Sequence, residues 1–549
     1  MLWFPKEMSG PACRKNELTE QAQSLIVGEN CARLQPISAE SIEGTRFPSE
    51  IEARDSVFER TNLLIAGIEP KAPGLHIFSQ TRMPRLGLVQ LLTMASQEGH
   101  QCEIYCEEIA PINWTRIEQA DLILISSITS TVPRAYALIK KIRDEINSSA
   151  PILMGGPHVT FLPEEALENG ADYVFRHEAD ETFPEFLEWW RSGRNPERLL
   201  NIPGLSFKVG NEYRHNPAPP KVDLDTLPTP NLDLIAGFGK PAAIPLITSR
   251  GCPWDCDFCS EVSMFGRNFR FRSEQKVIED IRYYNRRYGK IPIFIADDNL
   301  AANKGRLERL CHQIIENDMV RALSGQIRLD LARQPETLAL MFRAGFERVY
   351  IGYESTNAES LEAIGKGLRA SDMARYTKVI HSKGIEIHAM WVLGFDTDTV
   401  STVKDNFRAA IKWRLETSQF LILVPIPGSR MFERLRKENR IFNNDWSKYD
   451  GHHVTFYPAK MNPRQLQVAV MLEAMPKLYN HWQTFRIFIN ENWRSAKAAF
   501  RLRSWHPLRR TKTTLITLIV RIWGRSVARK MRRPIKAYLH KIPSADTQA

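Results

Sequence analysis

The chain has 549 residues, 43% hydrophobic and 25% charged, which is too long for one ordinary core and too balanced for wholesale disorder or a polytopic membrane protein. No run approaches the roughly 18 apolar residues that span a bilayer, and the start, MLWFPKEMSG, lacks the order of a secretory leader. Eight cysteines, three of them clustered, do not resemble a disulfide framework, so a cytoplasmic, reducing location is expected. The net charge of +11 is uneven, because residues 492–545 hold 15 Lys or Arg and no acid, while the first 491 residues hold 59 basic and 62 acidic side chains.

Residues 1–60 mix Pro, Gly, Ser and charge without a sustained period and read as an extension to which no chemistry is assigned. From residue 61 to 190, short apolar runs alternate with helical stretches: LLIAGI (63–68), a helix over 86–98, CEIYC (102–106), LILISS (122–127), a helix over 133–147 and ILMGG (152–156). Such alternation predicts a doubly wound α/β domain on a parallel sheet, with ligands at the carboxyl ends of its strands, where loops 126–131 and 155–160 fall. Residues 191–239 contain the hairpin pattern GLSFKVGNEYRH and a proline-rich stretch, and are expected to form a connector.

A second alternation fills 240–445: PLITSR, a helix over 274–288, IPIFIADD, a helix over 304–317, SGQIRLD, a helix over 335–344, RVYIGYES, IEIHAMWVLGF and FLILVPIP. Six strand–helix pairs predict an open, partial (β/α)6 barrel whose active face lies at the strand ends. Residues 446–549 are expected to be helical and basic.

The strongest motif is SRGCPWDCDFCS, which places Cys252, Cys256 and Cys259 at C-x3-C-x2-C directly after the first apolar run of the second alternation. Each iron of a four-iron cube normally takes one thiolate, so three cysteines leave one iron open to another ligand. A structural zinc site is the alternative, but zinc wants a closed set of four and no fourth Cys or His stands nearby in a paired motif.

The spacing and its place on the first barrel strand resemble the radical S-adenosylmethionine superfamily over roughly 240–445. The resemblance implies a [4Fe-4S] cluster held by Cys252, Cys256 and Cys259, with S-adenosylmethionine on the open iron. One electron then cleaves that cofactor to a 5′-deoxyadenosyl radical, supplied through a donor such as flavodoxin or ferredoxin. It also implies that Phe258 packs near the adenine and that Gly352 and Glu354, in YIGYES, approach the ribose and methionine parts, with Gln326 and Arg328 as further cofactor contacts. Asp297 and Asp298 read as holding substrate, cobalamin or a neighbouring Arg, or as a helix cap, and Pro425, Pro427 and Gly428 read as architecture.

The preceding domain is similar to the cobalamin-binding, Rossmann-like domain of one class of that superfamily, on the strings RMPRLGLVQLLTMASQEGH, SSITSTVPRAYAL, MGGPHVTFLPEEAL and DYVFRHEADETFPEFL. This resemblance assigns Ser126, Ser127, Thr129, Gly155, Gly156 and His158 to a cobalamin crevice, although the Ser/Thr run equally suits a helix cap. The D-x-H-x-x-G motif that donates a histidine to cobalt is absent, and RHEADE (176–181) replaces a glycine-rich acidic turn.

The class includes methylases and cyclases of hopanoids and tetrapyrroles. It therefore implies a C-methyltransferase acting on a lipid-like or other small-molecule substrate, with oxidative cyclisation or rearrangement as the enzymatic alternative and a non-catalytic cobalamin or cluster sensor as the alternative of another kind. The basic tail, interleaved with Trp493, Trp505 and Trp523, fits peripheral contact with the inner face of a membrane or a solvated face packed on the barrel; no nucleic-acid module is recognisable.

Overall fold

The computed structural model describes residues 62–72, 83–147, 149–239, 241–319, 322–480, 526 and 529–543. Residues 1–60 and most of the basic tail, including Trp493, Trp505 and Trp523, lie outside them.

The first alternation forms β1 (Leu64–Glu69), β2 (Gln101–Cys106), β3 (Leu122–Ser126), β4 (Ile152–Gly155) and β5 (Tyr173–Phe175), joined by helices that include Leu86–Gln97 and Val132–Lys141. These five strands are parallel in the order β2-β1-β3-β4-β5. Leu122 to Ile125 are all buried, as expected of strands covered on both faces by helices. The strand order reverses beside β1, which opens a crevice at the carboxyl ends of β1 and β3. The hairpin read from the sequence forms and also extends this sheet: β6 (Leu205–Val209) and β7 (Glu212–His215) pair antiparallel, and β6 pairs antiparallel onto β5. Polar Glu212, Arg214 and His215 leave β7 a poor template for further pairing.

The second alternation opens with β8 (Ile244–Leu246), and β9 (Ser249–Arg250) then pairs with β10 (Arg270–Phe271) in a separate two-stranded ribbon that brackets the cysteine loop. β11 (Ile293–Ile295), β12 (Leu323–Ile327), β13 (Phe346–Glu354), β14 (Glu386–Leu393) and β15 (Thr417–Ile422) complete an all-parallel sheet, β15-β14-β13-β12-β11-β8. Along β14, buried Ile387, Ala389, Trp391 and Leu393 alternate with half-buried Glu386, His388, Met390 and Val392. One face of the strand packs in the core, where Trp391 stacks on Tyr353 and Phe420 at 5.1 and 5.8 Å; the other faces the inside of an open half-barrel. The six-stranded partial barrel matches the sequence reading.

In the described part of the tail, residues 529–539 are helical, with Met531, Ile535, Tyr538 and Ile542 buried and Lys530, Arg532, Arg533 and Lys536 exposed. Tyr538 donates to the carbonyl of Val454 at 2.7 Å and accepts from Asn443 at 2.9 Å. Its apolar stripe is thus spent on the body of the protein.

Asp297 neither caps a helix nor faces an open site. It is fully buried and accepts hydrogen bonds from Thr248 N and Oγ1, both at 2.6 Å, and from Ser249 N at 3.0 Å. Equally buried Arg306 lies 4.0 Å away and donates to the Thr248 carbonyl at 3.1 Å. This cluster fixes the chain between β8 and β9, the root of the cysteine loop. Asp297→Ala strands two backbone donors and a buried guanidinium, so a loss of about 3 kcal/mol or more is expected in urea unfolding; an unchanged midpoint contradicts this role.

Candidate functional site

Cys252, Cys256 and Cys259 sit on one loop between β9 and the short helix Glu261–Phe265, all free thiols. The Cys259 N–H donates to the Cys256 carbonyl at 3.0 Å, a turn that gathers the second and third thiols. Among the described residues the other cysteines stand elsewhere: Cys102 and Cys106 in β2, Cys311 in the helix Lys304–Glu316. Burial pushes the Cys252 and Cys256 thiols above their ordinary value; a coordinating metal displaces such protons. A donor set of three thiols without a fourth suits a cube with one open iron better than closed zinc.

The loop is held by side chains from several strand ends. Arg328, just past β12, lies over the Trp254 ring at 3.8 Å and donates to the Lys366 carbonyl and to Asp330. Its guanidinium therefore supports the loop rather than standing ready for a carboxylate. Glu354 is buried, has φ of 59°, and accepts from Lys366 Nζ at 2.7 Å. Gly352 makes room for this pair, since a Cβ there would collide with the Glu354 carboxylate and approach Lys366 Nζ to 2.9 Å. Tyr353 points the other way, into the core, bonded to Thr377 at 2.7 Å. Phe258 is half-buried with its ring 5.6 Å from Phe395, which follows β14, and Gln326 is half-buried on β12, where its carbonyl accepts from Leu300 N at 3.0 Å. Asp298 is exposed at the end of β11, beside Glu261, whose carboxyl burial and that neighbour push up to about 10.

A cavity of about 270 Å³ lies at the carboxyl ends of the first sheet and reaches residues flanking the cysteine loop. Ser126, Gly155 and Gly156 line it with Arg85, His177 and Met264. Gly156 has φ of 109°, and a Cβ there would strike the Ser127 carbonyl, so the exits of β3 and β4 approach closely only because this residue is glycine. Ser127 is fully buried and does not line the cavity; its Oγ has no hydrogen-bond partner among the described residues. The glycine cradle fits a large group bound by close backbone approach, such as cobalamin.

Three expected residues, Ser127, Thr129 and His158, do not line that cavity. Thr129 is buried at the start of a helical turn in which Thr131 Oγ1 bonds the Ile128 N–H, the capping role weighed for this run. His158 is fully buried behind the crevice, its Nε2 3.4 Å from Glu165 and its ring edge-on to Trp446 at 4.9 Å. Trp446 also donates to both Glu165 oxygens, at 3.0 and 3.1 Å. The helix beginning at Pro157 turns the His158 ring away from the cavity.

Lys366 and His177 were missed from sequence. Lys366 stands between Gly365 and Gly367, both at positive φ, and that G-K-G string was the available signal. His177 holds φ of 62°, a backbone more often adopted by glycine.

Residues 78–187 match the B12 binding domain family model and residues 246–408 the Radical SAM superfamily model. The chain is 30% identical over 383 residues, 67% of its length and 82% of the relative's, to an uncharacterized methyltransferase, PH0819, of Pyrococcus horikoshii. It is 24% identical over 389 residues, 68% of its length and 62% of the relative's, to the anaerobic magnesium-protoporphyrin IX monomethyl ester cyclase of Cereibacter sphaeroides. Its fold is similar to that of the cobalamin-dependent S-adenosylmethionine radical enzyme OxsB with aqua-cobalamin bound, with a TM-score of 0.60 at 16% identity over 89% of this chain and 83% of that one.

Gly156→Val is expected to abolish uptake of cobalamin, read from the visible absorption of the desalted protein, whereas His158→Phe leaves the bound spectrum unchanged. A spectrum that changes with His158 instead of Gly156 would reverse the assignment of the crevice.

Proposed function

The chain belongs to the cobalamin-dependent radical S-adenosylmethionine enzymes, and from that premise we propose that it methylates an unactivated carbon of a lipid-like or other secondary-metabolite small molecule. The observation that carries the reading is the single cavity that touches both the cobalamin-type crevice at Gly155 and Gly156 and the flanks of the cysteine loop at Arg250 and Met264. One space bordering both cofactor regions suits a reaction that needs both.

When bound, the cluster and S-adenosylmethionine supply the radical, and cobalamin supplies the methyl group. The chain's part is to place them. Cys252, Cys256 and Cys259 would hold three irons of the cluster, and the Glu354 carboxylate, which Gly352 accommodates beside Lys366, would accept hydrogen bonds from the polar groups of S-adenosylmethionine. Phe258 would offer an aromatic face to the adenine. Ser126, Gly155 and Gly156 would receive cobalamin, and the apolar side chains of Leu88, Leu91 and Phe265 help to keep water from the cavity.

An electron donor of the flavodoxin or ferredoxin type is supported by the cysteine loop's place at the surface, where Trp254 is 38% exposed. Peripheral membrane contact is supported by the exposed Lys530, Arg532, Arg533 and Lys536 face, whose charge suits anionic headgroups. Among the described residues no helix is long and apolar enough to cross a membrane. Oxidative cyclisation is the second reading, favoured by the similarity to the magnesium-protoporphyrin ester cyclase.

Anaerobically reconstituted protein given cobalamin, S-adenosylmethionine and a strong reductant is expected to release 5′-deoxyadenosine, and Cys256→Ala to release none. Equal release by both removes the radical reading. With a lipid extract as substrate source, methylation adds a CH2 unit to the product mass and cyclisation removes hydrogens instead. In flotation assays the protein is expected to rise with phosphatidylglycerol vesicles at low salt and not with phosphatidylcholine. Replacing Lys530, Arg532, Arg533 and Lys536 by Glu should abolish this, and flotation that ignores lipid charge contradicts the contact.

A further inference from the structure

The turn after β5, residues 176–181, crosses from the first sheet to both flanks of the cysteine loop. On one flank, Arg250 immediately precedes Gly251 and Cys252; its guanidinium donates to Glu178 at 2.8 Å and to the two Asp180 oxygens at 2.6 and 3.0 Å. Arg270, on the strand paired with β9, donates to both Glu178 oxygens at 2.5 and 3.1 Å, and Lys221 Nζ lies 3.5 Å from the same carboxylate. On the other flank, His177 Nδ1 lies 3.2 Å from the carbonyl of Met264, in the helix that follows Cys259, and Lys221 donates to that carbonyl at 3.4 Å.

The Glu178 and Asp180 side chains are only 2% and 6% exposed, and that of Arg250 14%. Burial alone would raise the Glu178 carboxyl, but hydrogen bonds and charge from Arg270 and Arg250 hold it below its ordinary value. Two carboxylates thus meet three cations, and removing either acid leaves cations facing one another out of water. His177 holds its backbone at φ of 62°, a conformation a non-glycine residue keeps only where its surroundings enforce it. Buried ion pairs of this kind add little net stability, but their geometry is selective, and here they join two elements about 70 residues apart.

We propose that the 177–180 turn is a positioning latch: His177, Glu178 and Asp180 grip the cysteine loop through Arg250, Arg270 and Met264, and so set the separation between cluster and cobalamin crevice. The identity of the crevice's occupant rests on the family reading; the grip on the loop does not. None of the three residues is placed on a reacting atom. They act through the loop they hold, and the spacing matters because the two cofactors serve one substrate in one cavity.

The test compares the holoprotein, loaded with cluster and cobalamin, with its Glu178→Gln and Asp180→Asn double variant and with Glu178→Gln alone as the milder step. Two readouts are used: the magnetic interaction between cob(II)alamin and the reduced cluster by pulsed electron paramagnetic resonance, and hydrogen exchange by peptide. The wild type should give one narrow distance. The double variant, with iron and cobalt content retained, should give a broadened distribution and exchange about tenfold faster in peptides covering 248–272, with peptides covering 346–354 unchanged; Glu178→Gln should move the same way by less. An unaltered distance and unaltered exchange overturn the latch. Exchange that rises equally across the barrel also overturns it, because that is general destabilisation. If the wild type takes up no cobalt, the family reading fails, and the exchange comparison still decides the latch.

Discussion

Everything that gives this chain its chemistry hangs on three residues, Thr248 to Arg250, that lead into the cysteine loop and are held from two sides by buried carboxylates. Asp297 takes the N–H groups of Thr248 and Ser249, and Glu178 and Asp180 take the side chain of Arg250. A loop carrying three metal ligands has little regular structure of its own, so its position must come from its ends. Carboxylates can supply that position because a buried charge is strongly intolerant of losing its partners. The cost is desolvation, which each acid offsets by accepting several hydrogen bonds at once.

The middle of the loop is tied just as deliberately. Trp254 lies under Arg328, while Asp257 accepts from Arg430 and Arg434 in the helix Arg430–Lys437, and its carbonyl takes the Met431 N–H at 3.1 Å. Arg328 follows the carboxyl end of β12, and the helix carrying Arg430 and Arg434 follows that of β15, the side on which a parallel sheet presents its working loops. The loop's backbone is thus anchored by the protein's own side chains. On the other sheet, the Gly156 cradle performs the matching service, bringing two strand exits close enough to leave a crevice lined by Ser126 and Gly155.

Much of this was legible in the sequence for simple reasons. Parallel strands buried on both faces read as unbroken apolar runs, and helices capped by Ser273 or Asn303, or started by Pro335, read with nearly their true bounds. The cysteine spacing is local, so its chemistry could be read directly. What was not legible depends on partners distant in the chain. Asp297 reads as a cap, a ligand or the partner of an unspecified Arg because its hydrogen-bond donors lie about 49 residues earlier. Arg328 reads as a cofactor contact because its stacking partner Trp254 lies on the distant cysteine loop, and the hairpin, legible as such, carries nothing local to say that β6 pairs with β5. His158 looked exposed to the crevice because a GG-P-H string does not reveal which way the helix after Pro157 turns its first side chain. The acidic turn at 176–181 was noticed only as a departure, since its basic partners lie at 221, 250 and 270.

The central claim is that one cavity is bordered by two cofactors, cobalamin on the first sheet and a three-cysteine cluster at the mouth of the second. The most direct test is anomalous scattering at the iron and cobalt edges from crystals of the anaerobically reconstituted protein. The account predicts iron at Cys252, Cys256 and Cys259 and a single cobalt in the cavity bordered by Ser126, Gly156 and His177. A lone zinc at the thiols, or cobalt anywhere outside that cavity, would contradict it.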